Sequence, residues 1–404
     1  MRMLDSEEAA RRLGVKLATL YAYVSRGLIS SERSPDGRRS LFAADDVERL
    51  ARRARGAKQV ETRLATVTTS VTQLREDGPA YRGVPATSLV ASATFEEVAE
   101  LLWAAGAGSW DADPGVARVL AGPLGAATSA HDRIRLAVVL ASAHDPVRAD
   151  LRPEAVARAA RRTVATVVDA LAGPAPEPDA TLAGRPAPRA APAGAPGGTI
   201  AERLARRRAP EAPLHLTRAI NAILVLLADH ELATSTLAVR IAASTRADCY
   251  DALLAGLGTI AGPLHGAAGD VARRLLDEAD VVGVDRALDE TLRRQGAVPG
   301  FGHPAYEHGD PRFVALRPYA EALANERQRE VLDGVVDRAA AQGLPPPNVD
   351  LAIAAVARAA GLVADAAQTL FTVARLAGWV AHYLEELQER PLRFRARAVY
   401  AFRP

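Results

Sequence analysis

The chain has 404 residues, 49% hydrophobic and 24% charged, a balance that suits two or three globular domains and excludes a disordered polymer. No apolar run reaches the ~18 residues of a membrane span, and the head MRMLDSEEAARR lacks the apolar stretch of a secretory signal. A single cysteine, Cys249, excludes an internal disulfide framework and a multi-cysteine zinc site, so a cytoplasmic protein with no metal and no membrane partner is expected.

The net charge of +2 hides an asymmetry. Residues 1–58 hold 13 Lys/Arg against 8 Asp/Glu, a net of +5, which leaves −3 for the rest. Only the head suits a polyanion. Aromatics are 4%, so cores must be built from Ala, Leu and Val, which points to packed helices.

In chain order, DSEEAARRL (5–13) reads as a short helix opened by a capping box, with Asp5 as N-cap and Glu8 three residues on. KLATLYAYVSRGL (16–28) carries Leu17, Leu20, Tyr21 and Val24 at helical spacing. ISSERSPDGRRSLF reads as two short extended pieces around a turn from Pro35 to Gly37, and AADDVERLARRAR as a third helix. Residues 62–104 alternate Thr/Val pieces with turns, a small β-meander, before the helix FEEVAELLWAAG. Residues 131–172 are helical and alanine-rich. Seven prolines and five glycines make 171–199 a loop or linker. Helices resume at IAERLARRR and run nearly to the end. Within them 218–243 is apolar on nearly every side, a buried central helix or pair.

Helix, tight turn, helix, basic hairpin and helix form the layout of a winged helix-turn-helix. Gly14, Val15, Thr19, Leu20, Tyr23, Gly27 and Leu28 resemble the motif of MerR-like heads. The resemblance implies DNA as a partner, with Lys16, Tyr21 and Arg26 reaching it and the wing residues Arg33, Arg38 and Arg39 on phosphates. Ala18 stands where such recognition helices often carry Arg, which reduces direct base readout. A module for protein contacts is the alternative.

Three segments put a reactive side chain beside glycines or a helix start. AGPLHGAAGD holds His265, VPGFGHPAYEHGDPR holds His303 and Arg312, and PPPNVD sets Asp350 at the start of an apolar helix. His230 in ADHE, Arg375 in FTVARLAGW and Arg395 in RFRARAVY complete the set. Taken singly, each has a plainer reading: a turn histidine, a carboxylate beside a helix macrodipole, a surface arginine. Their joint occurrence carries the signal. His131, His144, His215, His308 and His382 lack such company and read as structural or solvated, and Cys249 as a small buried hydrophobe.

Residues 62–404 resemble the citrate synthase family. DGPAYRGVPATSLVASATFEEVAELLW, ADHE…ST, GPLHG, GFGH…DPR, NVD and RARAVY stand in the family's order and spacing. The resemblance implies a mainly α fold, with a large helical domain from 62–255 and 356–404 and a small one over 256–355, after a head at 1–58. It implies an acyltransferase that condenses acetyl-CoA with oxaloacetate to citrate and CoA through an enol. The CoA thioester is then a substrate and no cofactor is needed. Asp350 would be the base, His265 the hydrogen-bond donor to the thioester oxygen, and His303 the group that polarises the oxaloacetate carbonyl. Arg312, Arg375 and Arg395 would hold the dicarboxylate beside His230, with Arg395 reaching over from the partner in a homodimer.

The chemistry agrees with these roles. A poorly acidic α-proton needs a carboxylate facing a group that stabilises the enolate. Guanidinium forks suit carboxylates, and both imidazoles should be neutral. The chain departs from the family at Pro304, Ala305 and Glu307, the last standing where a basic residue lies near CoA. Arg293 and Arg294 are the candidates to substitute for it. Ala233 replaces an Asn. A 2-methylcitrate synthase using propionyl-CoA is one alternative. A DNA-binding regulator whose synthase-like domain senses CoA esters or oxaloacetate is the other.

Overall fold

The computed structural model describes residues 3–13, 29–34, 40–44, 66–122, 128–171, 198–208, 213–262 and 265–395, with Leu17, Leu20, Val24, Asp46 and Val47 between them. The chain separates into two compact units, Met1–Thr68 and Thr69–Pro404.

The first unit contains β1 (Met3–Asp5), α1 (Ser6–Leu13), β2 (Glu32–Arg33) and β3 (Ser40–Ala43). Asp5 caps α1 as expected, its Oδ1 accepting from Glu8 N at 2.8 Å. The Glu8 carboxylate instead accepts from Arg11 and Arg12, at 3.2 and 3.1 Å. The basic hairpin is present, β2 pairing antiparallel with β3. β1 adds to the other edge of β3 with Leu4 opposite Phe42, and three residues are too few to have shown a period-2 pattern. Leu4, Ala9, Leu20, Ile29, Phe42 and Val47 give this unit a core of its own. Most of the helix expected over 16–28, the Pro35–Gly37 turn and the third helix beyond Val47 lie outside the described residues. So do Lys16, Tyr21, Arg26, Arg38 and Arg39, and of Arg33 only the backbone, in β2, is described.

The second unit opens with the expected meander, β4 (Thr72–Arg75), β5 (Gly78–Tyr81) and β6 (Val84–Pro85), antiparallel in that order. The helices follow as α2 (Ala86–Leu89), α3 (Phe95–Trp103), α4 (Pro114–Leu120), α5 (Ala130–His144), α6 (Pro153–Ala170) and α7 (Ile200–Arg208). Next come α8 (Leu214–Leu227), α9 (Thr234–Ser244), α10 (Cys249–Ile260), α11 (Ala268–Val282) and α12 (Val284–Gln295). The last are α13 (Pro311–Leu323), α14 (Glu326–Ala341), α15 (Val349–Ala359) and α16 (Ala366–Leu387). Thr94 and Glu97 cap α3 reciprocally. The stretch expected as helix over 131–172 is two helices, divided where Pro153 restarts the chain. The apolar 218–243 is likewise a pair, α8 and α9, joined through 228–233. The Pro/Gly-rich 172–197 lies outside the described residues. Among the described residues no helix is long and apolar enough to cross a membrane.

The central helix of the second unit is α16, which is buried along nearly its whole length and packs against α3, α8, α9 and α10. Such close packing needs small residues at the crossings. A Cβ on Gly378 would lie 2.5 Å from the carbonyl oxygen of Ala228. Replacing Gly378 by Ala is therefore expected to lower stability by about 1–3 kcal/mol. Gly258 in α10 is exposed with nothing within 4 Å of its added Cβ, so Gly258→Ala should raise stability by ~0.5–1 kcal/mol. Thermal unfolding of the two variants reads opposite signs from the same chemical change.

Candidate active site

The site is assembled by backbone ties between two stretches far apart in sequence. Gly300 and Gly302 have φ of 83° and 75°, which bends the GFGH segment onto the start of α15. There a Cβ on Gly300 would meet Leu351 Cβ at 2.9 Å. Asn348 N donates to Gly300 O and Asn348 Nδ2 to Gly302 O, both at 2.8 Å. The same Asn348 caps α15, its Oδ1 accepting from Asp350 N at 3.0 Å. Asp310 does as much on the other side. It caps α13, accepts from the Arg312 guanidinium through both oxygens at 2.9 and 2.8 Å, and accepts from Val349 N at 3.0 Å.

These ties bring six of the expected residues into one interior. The rings of His230 and His303 lie 5.0 Å apart. Tyr306 packs on both, its hydroxyl 3.0 Å from His230 Nε2 and its ring 4.9 Å from His303, with Arg312 over it at 5.3 Å. His265 meets the Phe371 ring at 6.1 Å, and Arg375 lies 5.1 Å from that ring. His265 Nε2 is 2.8 Å from Ser235 Oγ. Arg375 is buried, its Nε donating to Leu227 O at 3.1 Å, while its Nη1 has no hydrogen-bond partner among the described residues. Asp350 feels both Arg312 and Arg375.

Burial sets the charge states. The Asp350 carboxyl is pushed up to about 6 by desolvation, against the pull of Arg312 and with Asp310 adding to the rise. His265 is pushed down to about 4 by burial and then by Arg375, and His303 to about 4 by burial and then by Arg312. His230 is driven well below the usual range by burial, Arg312, Arg375 and His303. Ala305 N donates to His303 Nδ1 at 3.1 Å, which leaves the proton of the neutral ring on Nε2. Three uncharged imidazoles and a carboxyl poised near neutrality thus share the two buried arginines as neighbours. That pairing suits removal of a proton beside a carbonyl.

Residues 55–397 match the family described as citrate synthase, C-terminal domain, and residues 3–55 match a helix-turn-helix domain. The chain belongs to the citrate synthase family. Citrate synthase 2 of Bacillus subtilis is 35% identical over 187 residues, 45% of this chain and 50% of that protein. Citrate synthase of Synechocystis is 35% identical over 178 residues, 42% of this chain and 45% of that protein. The chain thus spans about half the length of the curated relatives it matches. The ternary complex of Thermoplasma acidophilum citrate synthase with carboxymethyl coenzyme A and oxaloacetate aligns with a TM-score of 0.69 at 21% identity, over 86% of this chain and 96% of that one. Citrate synthase from Thermotoga maritima aligns at 0.64 and 22% identity, over 84% and 94%. The mainly helical fold behind a helix-turn-helix head is the one the sequence led us to expect.

Not every candidate joins the cluster of this citrate synthase fold. Arg293 and Arg294 are exposed in the last turn of α12, where Arg294 pairs with Glu278 at 2.9 Å. Arg395 is exposed at the end of the described chain. Conversely, Tyr306, Asp310, Asn348, Ser235 and Phe371 are part of the site without having been singled out for it. Asp310 was readable, since Asp-Pro before a helix is a capping signal. Tyr306 was not, because nothing in the sequence says which face of its loop turns inward. His382, read as structural or solvated, is fully buried between Asp229 and Arg240. Cys249 is buried as expected, its thiol pushed up to about 12 by desolvation.

The raised Asp350 makes a stability prediction. An acid whose folded pKa lies above its unfolded ~3.9 binds more protons when folded, so its contribution falls as pH rises through about 6. Asp350→Asn removes that fall. The variant should gain up to about 3 kcal/mol on the wild type between pH 4 and 8, read as diverging melting temperatures.

Proposed function

We propose that the chain condenses acetyl-CoA with oxaloacetate, releasing citrate and CoA. The observation that carries this reading is the raised Asp350 carboxyl next to the buried Arg312 and Arg375, which also neighbour the three uncharged imidazoles. Members of this family take the CoA thioester as a substrate and need no cofactor. In the proposed mechanism Asp350 takes an α-proton from the thioester methyl, while the His265 ring donates a hydrogen bond to the thioester oxygen. The resulting enolate, its oxygen held by His265 with enol character, attacks the oxaloacetate ketone. The ketone oxygen accepts from His303 Nε2–H and takes the proton as the carbon–carbon bond forms, the proton gained by Asp350 making good the one His303 gives up. Water then cleaves the citryl thioester. Arg312 and Arg375 hold the dicarboxylate, with Arg395 of the partner in a homodimer completing the set and His230 contacting it. Arg293 and Arg294 face the CoA phosphates in this reading, Arg294 exchanging Glu278 for a stronger anion. Propionyl-CoA differs by one methylene, a matter of about 1–3 kcal/mol, so the same assay is run with both donors.

Release of free CoA thiol from acetyl-CoA should require oxaloacetate. Asp350→Asn should lower kcat/KM by about 10²–10⁴-fold and His303→Ala by about 10²–10³-fold. Because the base must be ionised, wild-type kcat/KM should fall on the acid side with a midpoint at about 6. A folded protein that binds oxaloacetate and releases no thiol overturns the reading.

The helix-turn-helix match over 3–55 and the net +5 of residues 1–58 favour a second role, DNA binding by the head. The full chain should then shift a promoter fragment at low salt and lose it as salt rises. If oxaloacetate is sensed, it changes the midpoint. No shift at low salt leaves the head as a protein-contact module.

A further inference from the structure

One buried polar chain in the second unit has no part in the steps above. His382 and Asp229 are both fully buried, with His382 Nε2 3.2 Å from Asp229 Oδ2. On its other side His382 Nδ1 lies 2.8 Å from Arg240 Nη1. A guanidinium only donates, so Nδ1 accepts and the ring proton sits on Nε2, directed at Asp229. Arg240 is itself held by Glu386 at 2.9 Å and Glu385 at 2.6 Å, and Arg393 closes on Glu386 at 2.6 Å.

What this chain reaches is the segment that carries His230. Arg375, Gly378 and His382 occupy one face of α16, spaced i, i+3, i+7. They bond three consecutive residues: Arg375 Nε to Leu227 O at 3.1 Å, Gly378 N to Ala228 O at 2.9 Å, and His382 to the Asp229 carboxylate. Asp229 Oδ2 also accepts from Glu231 N at 3.0 Å, and Glu231 holds a φ of 55°. His230 therefore stands between two residues pinned by one carboxylate, and that carboxylate is oriented from α16 by His382. Arg375 is anchored to the same segment one residue pair away.

Resting on the reading that this site holds oxaloacetate, we propose that His382 is a positioning residue: acting through Asp229, it holds His230 and Arg375 in register for the dicarboxylate. Removing one member of a buried charge chain costs stability whatever the chain does. A chain that also serves register loses oxaloacetate binding selectively, and the experiment separates the two.

The test compares full-length His382→Leu and His382→Gln with wild type. The readouts are oxaloacetate binding by calorimetry, KM for each substrate, melting temperature, and amide exchange without ligand. His382→Leu should weaken oxaloacetate binding about tenfold or more and raise its KM, leave the acetyl-CoA KM in place, and speed exchange at residues 228–231. His382→Gln, which can both donate to Asp229 and accept from Arg240, should restore most of the binding. Unchanged oxaloacetate affinity and unchanged exchange in a folded His382→Leu protein overturn the proposal. So does an equal loss for both substrates. Should the leucine variant not fold, Asp229→Ala, which removes the oxygen that both His382 and Glu231 N use, carries the same expectation, and wild-type binding by it overturns the proposal too. A wild type that binds no oxaloacetate fails the functional reading, and the inference with it, whereas exchange at 228–231 reports the register by itself.

Discussion

The carboxylate of Asp310 is the joint on which the site depends. It caps α13, grips both arms of Arg312, and accepts from the first amide of α15, where Asp350 follows one residue later. A single buried anion thus sets the distance between a cationic fork and the carboxyl that must not ion-pair with it. Because Asp310 already satisfies Arg312, Asp350 is left to desolvation, and its proton affinity rises instead of falling. Asn348 repeats the device with a neutral amide, tying the His303 loop to the same helix start.

The electrostatics follow from dryness more than from charge pairing. Every imidazole in the cluster is pushed toward its neutral form first by burial and only then by the arginines. Neutral rings can donate a hydrogen bond to a developing oxyanion without first giving up a proton. The arginines supply the positive field, and Arg375 keeps a buried donor unpartnered among the described residues. Preorganised donors of this kind cost stability in the folded protein and lower a barrier only when charge develops between them.

Much of this was legible before any coordinates. The capping residue Asp5, the antiparallel pairing of β2 with β3, the meander and the apolar 218–243 all follow from local chemistry, which acts within a few residues. The three glycine- or helix-start-flanked motifs likewise named His265, His303, Arg312 and Asp350. Where the reading ran short, the cause was distance. β1 is too short to show a period, the helical stretch over 131–172 breaks before Pro153, which marks only a boundary, and Arg294 finds a partner on α11 sixteen residues away.

His382 shows the division most plainly. Its sequence context, GWVAHYLEEL on an apolar helix, says only that the ring lies along α16. That it orients Asp229, and through it the backbone beside His230, depends on how α16 crosses the 227–229 segment. That crossing is decided by Gly378, where a side chain would collide with Ala228 O. The sequence by itself determined the elements, the caps and the reactive residue types, because those are set by short-range forces. Which of those residues share one dry interior, and with what charge, was decided only by the packing, because desolvation is a property of the whole surroundings and not of any neighbour in the chain.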